Sequence, residues 1–136
     1  MNPDIAAALA ARLGRWADAE RIPVAWENVG FTPPVSGIYL VAHDMPATPR
    51  TMDLGLRCRV YSGVYQINVV TPAGSGRTSA VVLAGRVAEL FPEGLEIEGN
   101  DFTCWISSQP GIFRGIPTPV SYTVPVSLNY RANIIS

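Results

Sequence analysis

The chain has 136 residues, a length that suits one domain with one hydrophobic core. Apolar residues make up 48% of it and charged residues 15%, the reverse of what intrinsic disorder requires. A formal net charge of -1 offers no basic excess for neutralising nucleic-acid phosphates.

The first element in chain order is a helix. Asn2 can cap it, Pro3 suits its first turn, and Asp4 faces the positive end of the dipole. Ile5, Leu9, Leu13 and Trp16 recur at helical spacing with Ala6 and Ala17, so the helix is expected over Asp4–Glu20, ending ahead of Pro23. This Ala-rich start is not read as a secretory signal, because Asp4 comes early and Arg12 and Arg15 interrupt the apolar run. No apolar run is long enough to span a bilayer, so no membrane contact is expected.

A short strand is predicted over Val24–Val29, then an extended Phe31-Thr32-Pro33-Pro34 linker, then a strand over Ile38–Ala42. His43–Asp53, with Pro46 and Pro49, reads as a protruding loop. The longest strand-like stretch, Leu54–Val70, changes phase. Leu54, Leu56, Cys58 and Val60 are apolar at even positions, and Tyr65, Ile67 and Val69 at odd ones. Side chains alternate faces with period two, so a bulge or a tight turn is expected at Gly63. Pro72, Gly74 and Gly76 stop the strand. A second helix follows over Thr78–Phe91, with Ala80, Leu83, Ala84, Val87, Leu90 and Phe91 as its apolar stripe. Leu95–Ile97 and Phe102–Ile106 read as strands joined at Gly99-Asn100, Ser107–Pro119 as a second long loop, and Ser121–Arg131 as a cleanly alternating strand. Pro125 lacks an amide donor, which predicts that this strand is an edge or lies beside a bulge. The twelve Pro and twelve Gly are scattered turn punctuation rather than low complexity. The expected fold is one α+β domain: a mostly antiparallel sheet with two helices packed on one face.

Groups able to do chemistry are few. There is one histidine, His43, and no lysine. A Cys58/His43/Asp53 nucleophile arrangement is conceivable, but Cys58 alternates with Leu56 and Val60 as a core residue does. Cys58 and Cys104 form no metal-type or redox-type pair motif and read as buried free thiols in a reducing cytoplasm. Gly74-Ser75-Gly76-Arg77-Thr78-Ser79 lies where phosphate-binding loops occur, yet lacks the lysine of a P-loop. Glu93, Glu96, Glu98 and Asp101 read as a solvated strand face. No catalytic residue, metal site or cofactor is expected. The second loop differs, because Ile112, Phe113 and Ile116 are bulky and apolar among Pro110, Gly111, Gly115, Pro117 and Pro119. Exposed apolar clusters on loops often mark a protein partner; the other reading is a loop folded back over its own core.

The order of several segments resembles the phage tail terminator-like family. These are Pro23-Val24-Ala25-Trp26-Glu27-Asn28 with Phe31-Thr32-Pro33-Pro34, then Gly37-Ile38-Tyr39-Leu40, Leu54-Gly55 after the first loop, and Gly63-Val64-Tyr65-Gln66-Ile67-Asn68-Val69. Pro72-Ala73-Gly74-Ser75-Gly76 precedes the helix that Ala88, Phe91 and Pro92 close, and Val124-Pro125-Val126 with Tyr130 ends the chain. The resemblance implies a virion protein without catalytic residues, assembled in the host cytoplasm. It would cap the head-proximal end of the tail tube of a long non-contractile-tailed phage as a six-membered ring, stop tube polymerisation and serve head–tail joining. Its implied partners are further copies of itself, the tail tube protein and the head–tail connector protein, with genome DNA passing through the lumen without sequence-specific binding. A ring subunit needs two different patches, since head-to-tail contacts are heterologous. The residues expected to supply them are Asp44, Met45, Arg50 and Met52 on the first loop and Ile112, Phe113, Arg114 and Ile116 on the second. The other readings are a neighbouring head–tail joining protein of the same general fold, or a small hydrolase or ligand-binding α+β domain acting through Cys58 or the glycine turn.

Overall fold

The computed structural model describes residues 3–47, 50–51, 58–99 and 102–135. Helix α1 (Pro3–Ala19) buries Ile5, Leu9, Leu13 and Ala17, the i, i+4 row of its apolar stripe. Arg21 takes a left-handed φ of 58°, and the Ile22 amide then donates to the Ala17 carbonyl at 2.8 Å. The helix therefore stops at its own C-terminal turn, before Pro23 is reached. Helix α2 (Arg77–Glu89) starts after Gly76, whose φ of 89° only glycine adopts freely. It buries Ala80, Ala84, Val87 and Ala88.

The strands are β1 (Val24–Ala25), β2 (Tyr39–Pro46), β3 (Arg50–Thr51), β4 (Cys58–Pro72), β5 (Glu96–Glu98), β6 (Phe102–Ile106), β7 (Gly111–Ile112), β8 (Ile116–Pro117) and β9 (Ser121–Ile135). The main path runs β1-β2-β4-β9-β6-β5, with β3 on β4 and β7 and β8 on β9. β1 is parallel to β2, and the other pairings are antiparallel. The chain is thus a single α+β domain with two helices and a mostly antiparallel sheet among the described residues.

One face of the sheet carries the core. Leu40 and Ala42 of β2 lie opposite Val69 and Ile67 of β4, which lie opposite Val124 and Val126 of β9. Cys104 and Ile106 of β6 lie opposite Ala132 and Tyr130. These residues form one buried cluster with Ile5, Leu9, Leu13 and Ala17 of α1 and with Ala80, Ala84, Val87 and Phe91 from α2 and its end. Two polar contacts tie the helices together. Arg12 donates through Nε to the Leu90 carbonyl at 2.8 Å. Arg86 pairs with Glu20 and lies 5.5 Å from the Trp16 ring centroid.

Several sequence expectations need correction. No bulge or turn occurs at Gly63: β4 pairs with β9 in one unbroken register from Cys58↔Ile135 to Pro72↔Ser121. The phase change is a change in which face is apolar, so Val60 is buried on the face opposite Tyr61 and Tyr65. β9 is central rather than an edge, but Pro125 does lie beside a bulge: between β7 and β8 the register shifts by one, so residues 113–115 stand opposite only Val124 and Pro125. Pro125 is accommodated because its carbonyl accepts the Phe113 amide at 2.9 Å, so its missing N–H points into the gap between β7 and β8, where no ladder partner waits. The strand expected over Val24–Val29 ends at Ala25, because Trp26–Val29 folds into a turn with Asn28 at φ 56°. The two expected loops are shorter than predicted. β2 continues through His43 to Pro46, β3 follows, and the second loop contains β7 and β8. Asn2, Met52, Asp53 and Leu54–Arg57 lie outside the described residues.

Candidate functional site

The conceivable nucleophile arrangement does not assemble. His43 lies opposite Gln66, and Cys58 is eight residues farther along β4, roughly 27 Å at about 3.4 Å per residue. The other cysteine, Cys104, is fully buried, and burial pushes its thiol up to about 12, far from the thiolate a nucleophile needs. The glycine turn is a backbone device, with φ of 82° at Gly74 and 89° at Gly76. Glu96 and Glu98 are exposed on the edge strand β5. Among the described residues no group of three His, Cys, Asp or Glu is placed to hold a metal ion, and no helix is long and apolar enough to cross a membrane.

Two surface features stand out instead. The first is an apolar groove of about 400 Å³, lined among the described residues by Ala6, Ala7 and Ala10 of α1, Trp26, Glu27, Ala42, Asp44 and Pro46 of β2, and Tyr65. It exists because α1 presents alanines where larger side chains would reach the sheet. Trp26 forms its end wall against the bare backbone of Gly14, where an added Cβ would stand 3.4 Å from the indole. Two carboxylates sit in it. Glu27 accepts the backbone N–H of Asp44, replacing the strand partner that β2 loses once β1 ends at Ala25. Asp44 also accepts the Tyr130 hydroxyl at 2.7 Å. Burial raises the Asp44 carboxyl above its ordinary value, the Tyr130 hydrogen bond opposes that, and the Glu27 charge adds to it. Among the described residues neither carboxylate pairs with a cation.

The second feature is a projection at the other side of the sheet. β7 and β8 clip residues 111–117 to β9, and the segment between them carries Phe113 and Arg114. Phe113 is 56% exposed, Ile116 55% and Ile112 43%. Arg114 is also exposed. Ile112, Phe113 and Arg114, with Arg77, Val81, Gly115 and Tyr122, line a polar depression at the start of α2. Gly115 passes so close to Tyr122 that an added Cβ would meet its ring at 2.1 Å.

Of the residues singled out in the sequence, Ile112, Phe113 and Arg114 line one depression, and Ile116 is exposed in β8. Met45 is exposed at the end of β2. Asp44 belongs to that strand rather than to a loop, and it faces the groove. Arg50 is placed by its backbone in β3; its side chain and Met52 lie outside the described residues. The groove residues Ala6, Ala7, Ala10, Trp26 and Glu27 were not foreseen. Their only signal was the run of alanines on one side of α1, which says little without the sheet beneath it.

The chain is a single α+β domain with exposed apolar side chains at its edges. It matches the family described as phage tail terminator protein over residues 4–130 and belongs to that family. The family is structural rather than enzymatic, so the chain is a structural component of the phage tail, interacting with other tail and head proteins. A solved structure whose name carries no description of function is similar to it at 38% identity and a TM-score of 0.82, covering 97% of this chain and 96% of that one. No curated protein matches the chain.

Proposed function

We propose that this chain caps the head-proximal end of the tail tube as a ring of identical subunits, six in number. The ring stops tube polymerisation, provides the surface for head–tail joining, and lets the genome pass through its lumen without sequence-specific contact. The family match over residues 4–130 carries this reading. The geometry supports it: a ring closed by rotation uses two different surfaces on each subunit, and the groove and the projection are two such surfaces. In this reading α1 and α2 cover the same face of the sheet, as their shared core cluster favours. Ile112, Phe113, Arg114 and Ile116 contact a neighbouring subunit or the tube end, and Asp44, Met45, Arg50 and Met52 serve a second contact.

The test is electron microscopy of phage tails made with and without the protein. Tails lacking it should overrun their normal length or fail to join heads. Tails of normal length that join heads in its absence refute the assignment.

A further inference from the structure

We propose that the Phe113–Arg114 projection of one subunit inserts into the Ala6/Ala7/Ala10/Trp26 groove of the next, with Arg114 meeting the Glu27 and Asp44 carboxylates. This inference rests on the ring reading and names the contact that would close the ring.

Three observations carry it. The first is placement. Ile112 lies opposite Val126, Val126 opposite Ile67, and Ile67 opposite Ala42. Ala42 lines the groove, and Ile112 begins the projection. The two features therefore stand at opposite ends of one cross-strand row, so a copy displaced along that row brings projection to groove without a change of level. Repeated with a constant rotation, that displacement gives a head-to-tail ring.

The second is shape and polarity. The groove offers alanine walls and an indole, and the projection offers a half-exposed phenylalanine flanked by Ile112. Interface hot spots are typically aromatic or arginine anchors seated in well-packed, desolvated pockets. The third is charge. Glu27 and Asp44 have no cationic partner among the described residues, and Arg114 makes no hydrogen bond or ion pair there. A guanidinium forks onto carboxylates with paired hydrogen bonds. The chain has no lysine, so arginine is the permanent cation a second copy can bring.

The test uses two variants of the full chain. Phe113→Ala with Arg114→Glu removes the projection and leaves the groove; Ala7→Trp fills the groove from the exposed side of α1 and leaves the projection. Measured by analytical ultracentrifugation at concentrations where the parent chain self-associates, or on purified tail tubes where it does not, each variant alone should associate about 30-fold more weakly, the equivalent of one hot-spot side chain. An equimolar mixture should form one-to-one pairs and nothing larger, because it contains one intact projection and one intact groove per pair. Glu27→Arg should restore association to an Arg114→Glu chain. Folding is checked by circular dichroism; if Ala7→Trp unfolds the chain, Ala7→Glu replaces it. If the parent forms rings and both variants do so equally, or the mixture stays monomeric, the groove has another occupant and the inference fails while the ring reading survives. If the parent forms no ring in solution or on tubes, both fail.

Discussion

The Tyr130 hydroxyl donates to Asp44 across 86 positions of sequence, at 2.7 Å, and it does so by crossing over Gly63. Gly63 lies opposite Tyr130 in β9 and opposite Pro46 in β2. A Cβ there would stand 2.6 Å from the tyrosine hydroxyl and 2.8 Å from the Met45 carbonyl. The glycine supplies the space through which a central strand reaches the carboxylate two strands away. Gly63 shows no left-handed φ, so its role is close approach rather than conformational freedom.

Gly63→Ala should therefore destabilise the subunit by about 1–3 kcal/mol, the usual cost of overpacking. Tyr130→Phe should cost about 1.5–3 kcal/mol through the lost hydrogen bond to a charged acceptor. Because both act on one contact, the double variant should cost less than the sum of the two. Urea unfolding of the four proteins checks this; strict additivity would mean that the glycine serves something other than Tyr130.

The same glycine shows where the sequence was legible. Its neighbourhood carried a real signal, the phase change between Val60 and Tyr65, but period-two alternation reports only which face is apolar. A strand buried on opposite faces at its two ends gives the same signature as a bulge. The helices were readable to within one or two residues, because the stripe of Ile5, Leu9, Leu13 and the stripe of Ala80, Ala84, Val87 each record a single buried side. β6 was read residue for residue, because Phe102, Cys104 and Ile106 alternate with half-buried Thr103 and Trp105.

The surfaces were half legible. Ile112, Phe113 and Ile116 announced themselves as bulky residues between prolines and glycines. The groove did not, because a cavity is defined by what alanines leave empty between elements distant in sequence. The sequence places Asp44 on the His43–Asp53 loop; its strand position, its burial and its partner Tyr130 follow only from the pairing of β2, β4 and β9.

Cys104 should be inert in the native protein. Its side chain is fully buried and its thiol is raised to about 12, so the thiolate that alkylating reagents attack is nearly absent at neutral pH. Iodoacetamide labelling at this residue, followed by mass spectrometry, should proceed only at the rate of unfolding and accelerate sharply in urea. Rapid labelling of the folded chain would show that the β6 region opens locally.

Gly115→Ala should disturb the projection and reach the core only through Tyr122, which packs against its edge. The added Cβ would meet the Tyr122 ring, while Tyr122 is only half-buried and lies at the rim of the sheet. The expected cost in thermal stability is small, about 1 kcal/mol or less. The loss in self-association should be larger, because the segment that presents Phe113 must shift. If unfolding and association fall together, residues 111–117 belong to the subunit's own stability.

Asp44→Asn should move stability and assembly in opposite directions. The carboxyl is raised above its ordinary value of 3.8, first by burial, against the Tyr130 hydrogen bond, and then further by the Glu27 charge. The folded chain therefore holds this proton more tightly than the unfolded chain does. Through linkage, Asp44 costs nothing at pH below 3.8, and its penalty grows as pH rises from there through the raised value. Asparagine removes the charge and keeps an oxygen to accept the Tyr130 hydroxyl. The Asp44→Asn subunit should accordingly unfold at a higher temperature than the parent at pH 7, and the difference should vanish near the bottom of the window. In the proposed ring the neighbour's Arg114 would offset the charge that the isolated subunit bears alone, so the same substitution should weaken association at pH 7 and leave it less sensitive to salt than in the parent. Scanning calorimetry at the two pH values, set beside sedimentation at pH 7, reads both effects. A variant that is more stable and assembles as tightly as the parent would leave the stability argument standing and remove Asp44 from the contact.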